Sequence, residues 1–177
     1  MHRNVPSQLI YPIRGMYLEA IDRASEHISI TQPYFIPDRT MRRALLAAAR
    51  RGVDVRVLVP AASNHVITDW LSRGFYAPLL RGGVTIWRFE RAMIHAKTMT
   101  VDGRWSTIGT ANIDRLSLTG NYEVNVEIFD RAVAQHLGRV FATDLSNATQ
   151  LTTTEWERRG TLAKLTERLL APLRPLL

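Results

Sequence analysis

The stretch HISITQPYFIPDRTMRRALLAAARRGVDVRVLV, residues 27–59, decides the fold. His27 to Thr31 alternates around β-branched residues and reads as a strand. Gln32-Pro33-Tyr34-Phe35-Ile36-Pro37-Asp38 follows as a loop with two prolines. Asp38 is a good N-cap for a helix over about 39–51, and Gly52 closes it, since its φ freedom suits the residue just past a helix end. Val53 to Val59 is then a near-continuous apolar strand, interrupted by Asp54 and Arg56. A strand, a helix and a second apolar strand at this spacing are one β-α-β unit.

The pattern continues on both sides. Ile13, Met16, Tyr17, Ala20, Ile21 and Ala24 fall at helical spacing over 13–26. Val66 to Arg81 reads as a helix with Val66, Ile67, Trp70, Leu71 and Leu79 inward, ended by Gly82-Gly83, and Val84 to Phe89 as a strand. The alternation predicts an α/β fold with a largely buried, partly parallel sheet. Beyond residue 90 the pattern changes. Ile94 to Val101 reads as a strand, Asp102-Gly103 as a hairpin turn, Trp105 to Ile108 as the returning strand and Asn121 to Phe129 as another. Helices are expected at about 131–147 and 154–170. No internal repeat, low-complexity tract or linker interrupts the chain.

The 177 residues are enough for one domain with a real core. Hydrophobic residues are 46% and charged residues 22%, as in a globular protein. There is no cysteine, which excludes disulfides, thiolate metal sites and a cysteine nucleophile. Net charge is +7 and the pI about 10.5, a balance that suits nucleic acid, anionic lipid or phosphate esters. Arginine outnumbers lysine 21 to 2; a GC-rich genome produces such a bias without any ligand. No segment approaches the roughly 18 apolar residues of a membrane span. MHRNVPSQLI lacks the apolar core of a secretory signal.

Chemistry concentrates after residue 94. In a strand of period two, His95, Lys97, Met99 and Val101 share a face, which puts His95 and Lys97 about 7 Å apart along it. Lysine is seldom buried without a partner, and an anion between the two would satisfy both. Asp102 at the turn can accept from nearby backbone donors. Gly109 permits close approach of backbone to a ligand, and Thr110 and Asn112 bring donors suited to phosphate oxygens. Asn121 and Glu123 share a face of the next strand, from which Glu123 can accept a hydrogen bond from the far nitrogen of His95 and fix its tautomer.

The series His95-x-Lys97-x4-Asp102-x6-Gly109-Thr110-x-Asn112 resembles the HKD signature of the phospholipase D superfamily. Residues 31–38, the segment Arg51-Gly52-Val53-Asp54-Val55-Arg56, and the ending with Trp156, Arg159 and Pro172-Leu173 are similar to the C-terminal half of bacterial cardiolipin synthases. The resemblance covers the chain from about residue 10. It implies a single phospholipase D-like domain over 1–177 with a helical tail at 154–177. The implied fold is a three-layer α-β-α sandwich with a mixed, largely parallel sheet.

The same resemblance implies a phosphatidyltransferase or phosphodiesterase working through a phosphohistidine intermediate, without metal or other cofactor. Catalysis would fall to His95, Lys97, Asp102, Asn112 and Glu123, with Asp102 structural and Glu123 orienting His95; Thr110, Asn121 and Ser117 would contact substrate. Ser117 is preceded by Leu116 where the family has arginine, with Arg115 one place early. The family uses two motifs per site and residues 1–90 contain no other His-x-Lys. The expected partners are therefore an anionic phospholipid such as phosphatidylglycerol and either a second copy or a complementing N-terminal half. The expected location is the cytoplasmic face of a membrane, peripherally, or the cytoplasm. The alternatives are a metal-independent nuclease acting on nucleic acid as a homodimer, and an inactive phosphate- or lipid-binding half.

Other features have plainer readings. His2, His27 and His136 read as surface or packing residues, whereas His65 follows a strand end, where α/β sites form. Arg42, Arg43, Arg50 and Arg51 read as a solvated helix face. Trp70, Phe75 and Tyr76 read as core or groove wall. The leucines of 162–177 suit either a packed helix or an interfacial one.

Overall fold

The computed structural model describes residues 1–62 and 72–160. Eight strands form one sheet: β1 (His2–Asn4), β2 (His27–Thr31), β3 (Asp54–Pro60), β4 (Thr85–Phe89), β5 (Thr98–Val101), β6 (Trp105–Gly109), β7 (Glu123–Ile128) and β8 (Ala148–Leu151). The helices are α1 (Pro12–Arg23), α2 (Arg39–Arg50), α3 (Tyr76–Arg81), α4 (Arg115–Thr119), α5 (Arg131–Leu145) and α6 (Thr153–Glu157). The strand order is β1-β7-β6-β5-β2-β3-β4-β8.

The α/β reading and the mixed sheet hold, but the sheet is not largely parallel. Only β2–β3 and β3–β4 run parallel; the other five pairings are antiparallel. Parallel neighbours need a crossover, and the β-α-β pattern of residues 27–89 supplies it only there. Beyond it the short turn between β5 and β6 forces a hairpin, and β5, β7 and β8 run antiparallel to their other neighbours.

One sheet face is apolar. Ile28, Ile30, Val55, Val57, Ile86 and Met99 are fully buried in one cluster with Ile13, Tyr17 and Ile21 of α1 and Met41 and Leu45 of α2. Phe75 and Tyr76 join it, as expected. The residues alternating with these, among them Ser29, Arg56 and Thr100, face the other way, toward Ala134, Phe141 and Leu145 of α5. Helices thus cover both faces, giving three layers.

The helix ends follow the sequence signals. The Asp38 carboxylate accepts from Met41 N at 2.7 Å and pairs with Arg14 at 2.8 Å. Asp114, Asp130 and Thr152 cap α4, α5 and α6 in the same way. Arg51 is not only a solvated side chain: its guanidinium donates to the carbonyls of Ile21, Asp22 and Ala24, satisfying the end of α1. Arg42 lies over the Phe75 ring, 5.6 Å from its centroid.

Two strands had no sequence reading, β1 and β8, which form the two sheet edges. The expected strand from Ile94 begins only at Thr98. His65, Trp70, the first part of the helix expected over 66–81 and the tail beyond residue 160 lie outside the described residues; α3 accounts for that helix's last turns.

Candidate active site

The parallel strands β2, β3 and β4 end on the same side of the sheet. The antiparallel β5 begins there, β6 ends there and β7 starts there. Such C-terminal ends are where α/β sheets commonly carry their sites. His95 and Lys97 arrive at this end in irregular chain just before β5, and Gly109 N donates to Lys97 O at 3.1 Å. That bond continues the β5–β6 ladder for one residue and fixes where Lys97 sits.

His95 is exposed and Lys97 is 8% exposed. Their side chains project to the same side, as the period of two predicts. The Lys97 ammonium lies 2.9 Å from His95 Nδ1 and 2.9 Å from the His95 carbonyl oxygen. An ammonium can only donate, so Nδ1 accepts and a neutral ring carries its proton on Nε2. Burial pushes the Lys97 ammonium below its ordinary pKa, opposed by the Glu123 and Asp114 carboxylates. The Tyr34 ring meets the imidazole edge-on, centroids 6.3 Å apart at 86°.

Glu123 opens β7 beside this pair. Its carboxylate accepts a short hydrogen bond from the Thr110 hydroxyl, which itself accepts from Val124 N at 3.0 Å. The expected bond from His95 to Glu123 is not made: Lys97 donates to Nδ1, and the Glu123 carboxylate accepts from Thr110. Asn112 bonds through its side chain to Asp114, while its buried Oδ1 has no hydrogen-bond partner. Asp114 is 9% exposed, and burial raises its carboxyl pKa against the opposing Ser117 and Asn112 hydrogen bonds.

The structure therefore gathers His95, Lys97, Thr110, Asn112 and Glu123 at one end. The other predicted residues do not join this group. Asp102 closes the β5–β6 hairpin at the opposite end of the sheet. Its carboxylate accepts from the backbone N–H groups of Ser25, Glu26 and His27 and from the Ser25 hydroxyl, each at 2.9 Å. Burial disfavours that charge, but the four donors outweigh it and hold the carboxyl below its ordinary pKa. Asp102 is thus a clip, and its contacts are to Ser25, Glu26 and His27 rather than to His95 or Lys97. Ser117 is 2% exposed, its N–H given to Asp114 and its carbonyl to Asn4, so it is closed to substrate. Asn121 is exposed and precedes β7 rather than sharing its face.

Gly109 also has a different reason from the one expected. A Cβ there would overlap Asn125 Oδ1 and Val124 O, so the close approach is to the neighbouring strand. Asn125 went unread in the sequence and is fully buried. Its amide donates to the Tyr17 and Thr107 hydroxyls and accepts from Ala111 N, anchoring the backbone between Thr110 and Asn112. Burial pushes the Tyr17 hydroxyl up to about 12, keeping it a neutral partner. Asp114 also went unread as a site residue; its only local signal is the capping pattern with Ser117. A cleft of about 820 Å³ between α5 and the sheet is lined by Asp102 and Arg139, at the far end from His95. Among the described residues no three His, Cys, Asp or Glu side chains are grouped to hold a metal.

Residues 17–145 match the family described as cardiolipin synthase, PLD-like domain. The chain is 37% identical over 165 residues to cardiolipin synthase A of Proteus mirabilis, covering 93% of this chain and 34% of the relative. It is 32% identical over 172 residues to a cardiolipin synthase of Clostridium perfringens, covering 97% and 36%. The chain thus spans about a third of the length of these relatives. Its fold matches Nuc, a phospholipase D family member from Salmonella typhimurium, with TM-score 0.68, 22% identity and coverage of 78% and 90%. It also matches phosphatidylserine synthase of Haemophilus influenzae, with TM-score 0.71, 14% identity and coverage of 92% and 43%.

Proposed function

We propose, because the chain belongs to the cardiolipin synthase PLD-like domain family, that it supplies one half of a phospholipase D-type phosphatidyltransferase site. The substrate is an anionic glycerophospholipid of the phosphatidylglycerol class, reached from the membrane surface. The observation that carries this reading is the exposed His95 imidazole on the buried Lys97 ammonium, at the strand-end site with Thr110 and Glu123.

His95 attacks phosphorus, forming a P–N bond as the P–O bond to the leaving alcohol breaks. A second histidine, from another copy of this chain or from a complementing half, gives its proton to that alcohol. It then takes a proton from the incoming alcohol, whose oxygen displaces His95. This divides one hard displacement into two easier ones. Lys97 leaves His95 for a phosphoryl oxygen as substrate enters, which frees Nδ1 and stabilises the developing charge where water is excluded. Asn112 contributes a second polar contact, and Glu123 then accepts a hydrogen bond from the N–H of the attacking ring, which keeps that proton through both displacements.

The test is turnover of phosphatidylglycerol in mixed micelles, with acid quenching and mass spectrometry for phosphate on His95. Loss of both product and adduct in His95→Ala supports the reading. Cleavage of a single-stranded DNA control without lipid turnover would move the activity to nucleic acid. No turnover until a complementing half is added assigns the second histidine to that half.

A further inference from the structure

The sheet end that carries His95 also carries an apolar surface without a role in the chemistry. Asn4 ends β1 beside Glu123 of β7, so residues 5–10 emerge at this same end. There Val5 and Ile10 pair across a tight loop containing a 3-10 turn, Pro6–Gln8. Leu9 sits in that loop at φ 55°, a left-handed conformation that is costly for leucine, and is 80% exposed; Ile10 is 47% exposed. The second wall is α4 with the turn after it, where Leu116 is 47% and Tyr122 63% exposed. The Tyr122 hydroxyl bonds Ser7 Oγ at 3.0 Å, joining the two loops. Beneath them the fully buried Asn4 donates to Ser117 O at 2.9 Å, locking β1 to α4. The protruding leucine is thus held outward by a rigid base.

We propose that Leu9, Ile10, Leu116 and Tyr122 form a docking tip that enters the interface of an anionic bilayer beside the site. The choice of a bilayer over a protein partner rests on area and charge. Four side chains fall well short of the roughly 800 Å² per partner of a stable protein interface. They suffice for an interfacial anchor when basic charge assists. Exposed Arg3 and Arg115 flank the tip in a chain of net charge +7. The nearby acids are engaged: Asp38 by Arg14, Asp114 by Ser117 and Asn112, Glu123 by Thr110. Tyrosine with aliphatic side chains is the composition that membrane interfaces favour.

This inference rests on the lipid reading of the site, and the experiment separates the two. Binding of the His95→Ala chain is measured by co-sedimentation with phosphatidylcholine vesicles with and without phosphatidylglycerol. The same is done for His95→Ala combined with Leu9→Asn, and with Leu9→Asn plus Tyr122→Ser. Asparagine tolerates the left-handed backbone, so the loop keeps its shape. The His95→Ala chain is expected on the phosphatidylglycerol vesicles, with partitioning roughly tenfold weaker once the leucine is lost and weaker still in the combined variant. Turnover of a monomeric short-chain phosphatidylglycerol by chains that retain His95 should survive both tip substitutions. Equal vesicle binding by all chains, no binding by any, or a change of oligomeric mass in the tip variants would overturn the tip. Vesicle binding that depends on the tip, without turnover of any phospholipid even when a complementing half is present, would leave the tip standing and overturn the lipid reading of the site.

Discussion

Replacing Asp102 tests what the motif's aspartate is for. In Asp102→Ala, three backbone N–H groups and one hydroxyl lose their acceptor. Hydrogen bonds to a charged group contribute about 1.5–3 kcal/mol each, but the Ser25 and Glu26 donors are exposed and regain water, so the four together contribute about 2–3 kcal/mol. Alanine at φ 51° adds about 1 kcal/mol. A loss of about 3–4 kcal/mol moves a urea midpoint down by roughly 1.5–2 M at a slope of about 2 kcal/mol/M. Asp102→Asn keeps one acceptor oxygen and tolerates the backbone, so it should fall between. The carboxyl is held below its ordinary 3.8, so the folded state binds fewer protons than the unfolded one. The stability it contributes is complete above that ordinary value and is lost as pH falls through the lower folded one. The gap between wild type and Asp102→Ala should therefore be constant near neutrality and close in acid. Five residues of strand put Asp102 roughly 17 Å from Lys97, so the ¹⁵N signals of the His95 ring should not move. An unchanged midpoint in Asp102→Ala, or a displaced His95 signal in folded Asp102→Asn, would refute the clip.

Three further substitutions probe the site and its support. Lys97→Gln should lower kcat by about 10²–10³ with a normal denaturation curve, as for loss of one preorganised donor. Gly109→Ala should cost more than about 2 kcal/mol in a urea titration, because the new methyl meets backbone and the buried Asn125 rather than a yielding side chain. Leu45→Ala, which empties a fully buried position beneath α2, should cost about 2–5 kcal/mol while leaving turnover per folded molecule unchanged.

What the sequence made legible was whatever is local. Asp38 and Gly52 bracket α2 because caps act over three or four residues, and the alternation of 27–31 and 53–59 shows through because both strands bury one face completely. β1 and β8 were illegible since HRN and ATQL carry no periodicity; partners far along the chain create them. The site divides in the same way. His95 and Lys97 share a side because of backbone period, which the spacing predicts. That Lys97 takes the imidazole nitrogen meant for Glu123, and that Asp114 lies near that lysine, depends on the loop after β6 folding back across the sheet end. Ser117 illustrates the reverse error: a hydroxyl in a motif position became a buried part of a helix cap.

The two edge strands have a consequence for assembly. β1 offers three residues and β8 four to any chain that would extend the sheet. Edges this short blunt strand-to-strand accretion, which needs a longer run of open backbone to hold a neighbour. Crowding of many copies then gives little purchase for fibrous growth. Under the proposed function, a companion that completes the His95 site would come against an end or a face of the sheet, where its own motif could meet this one across a gap the width of a phosphate.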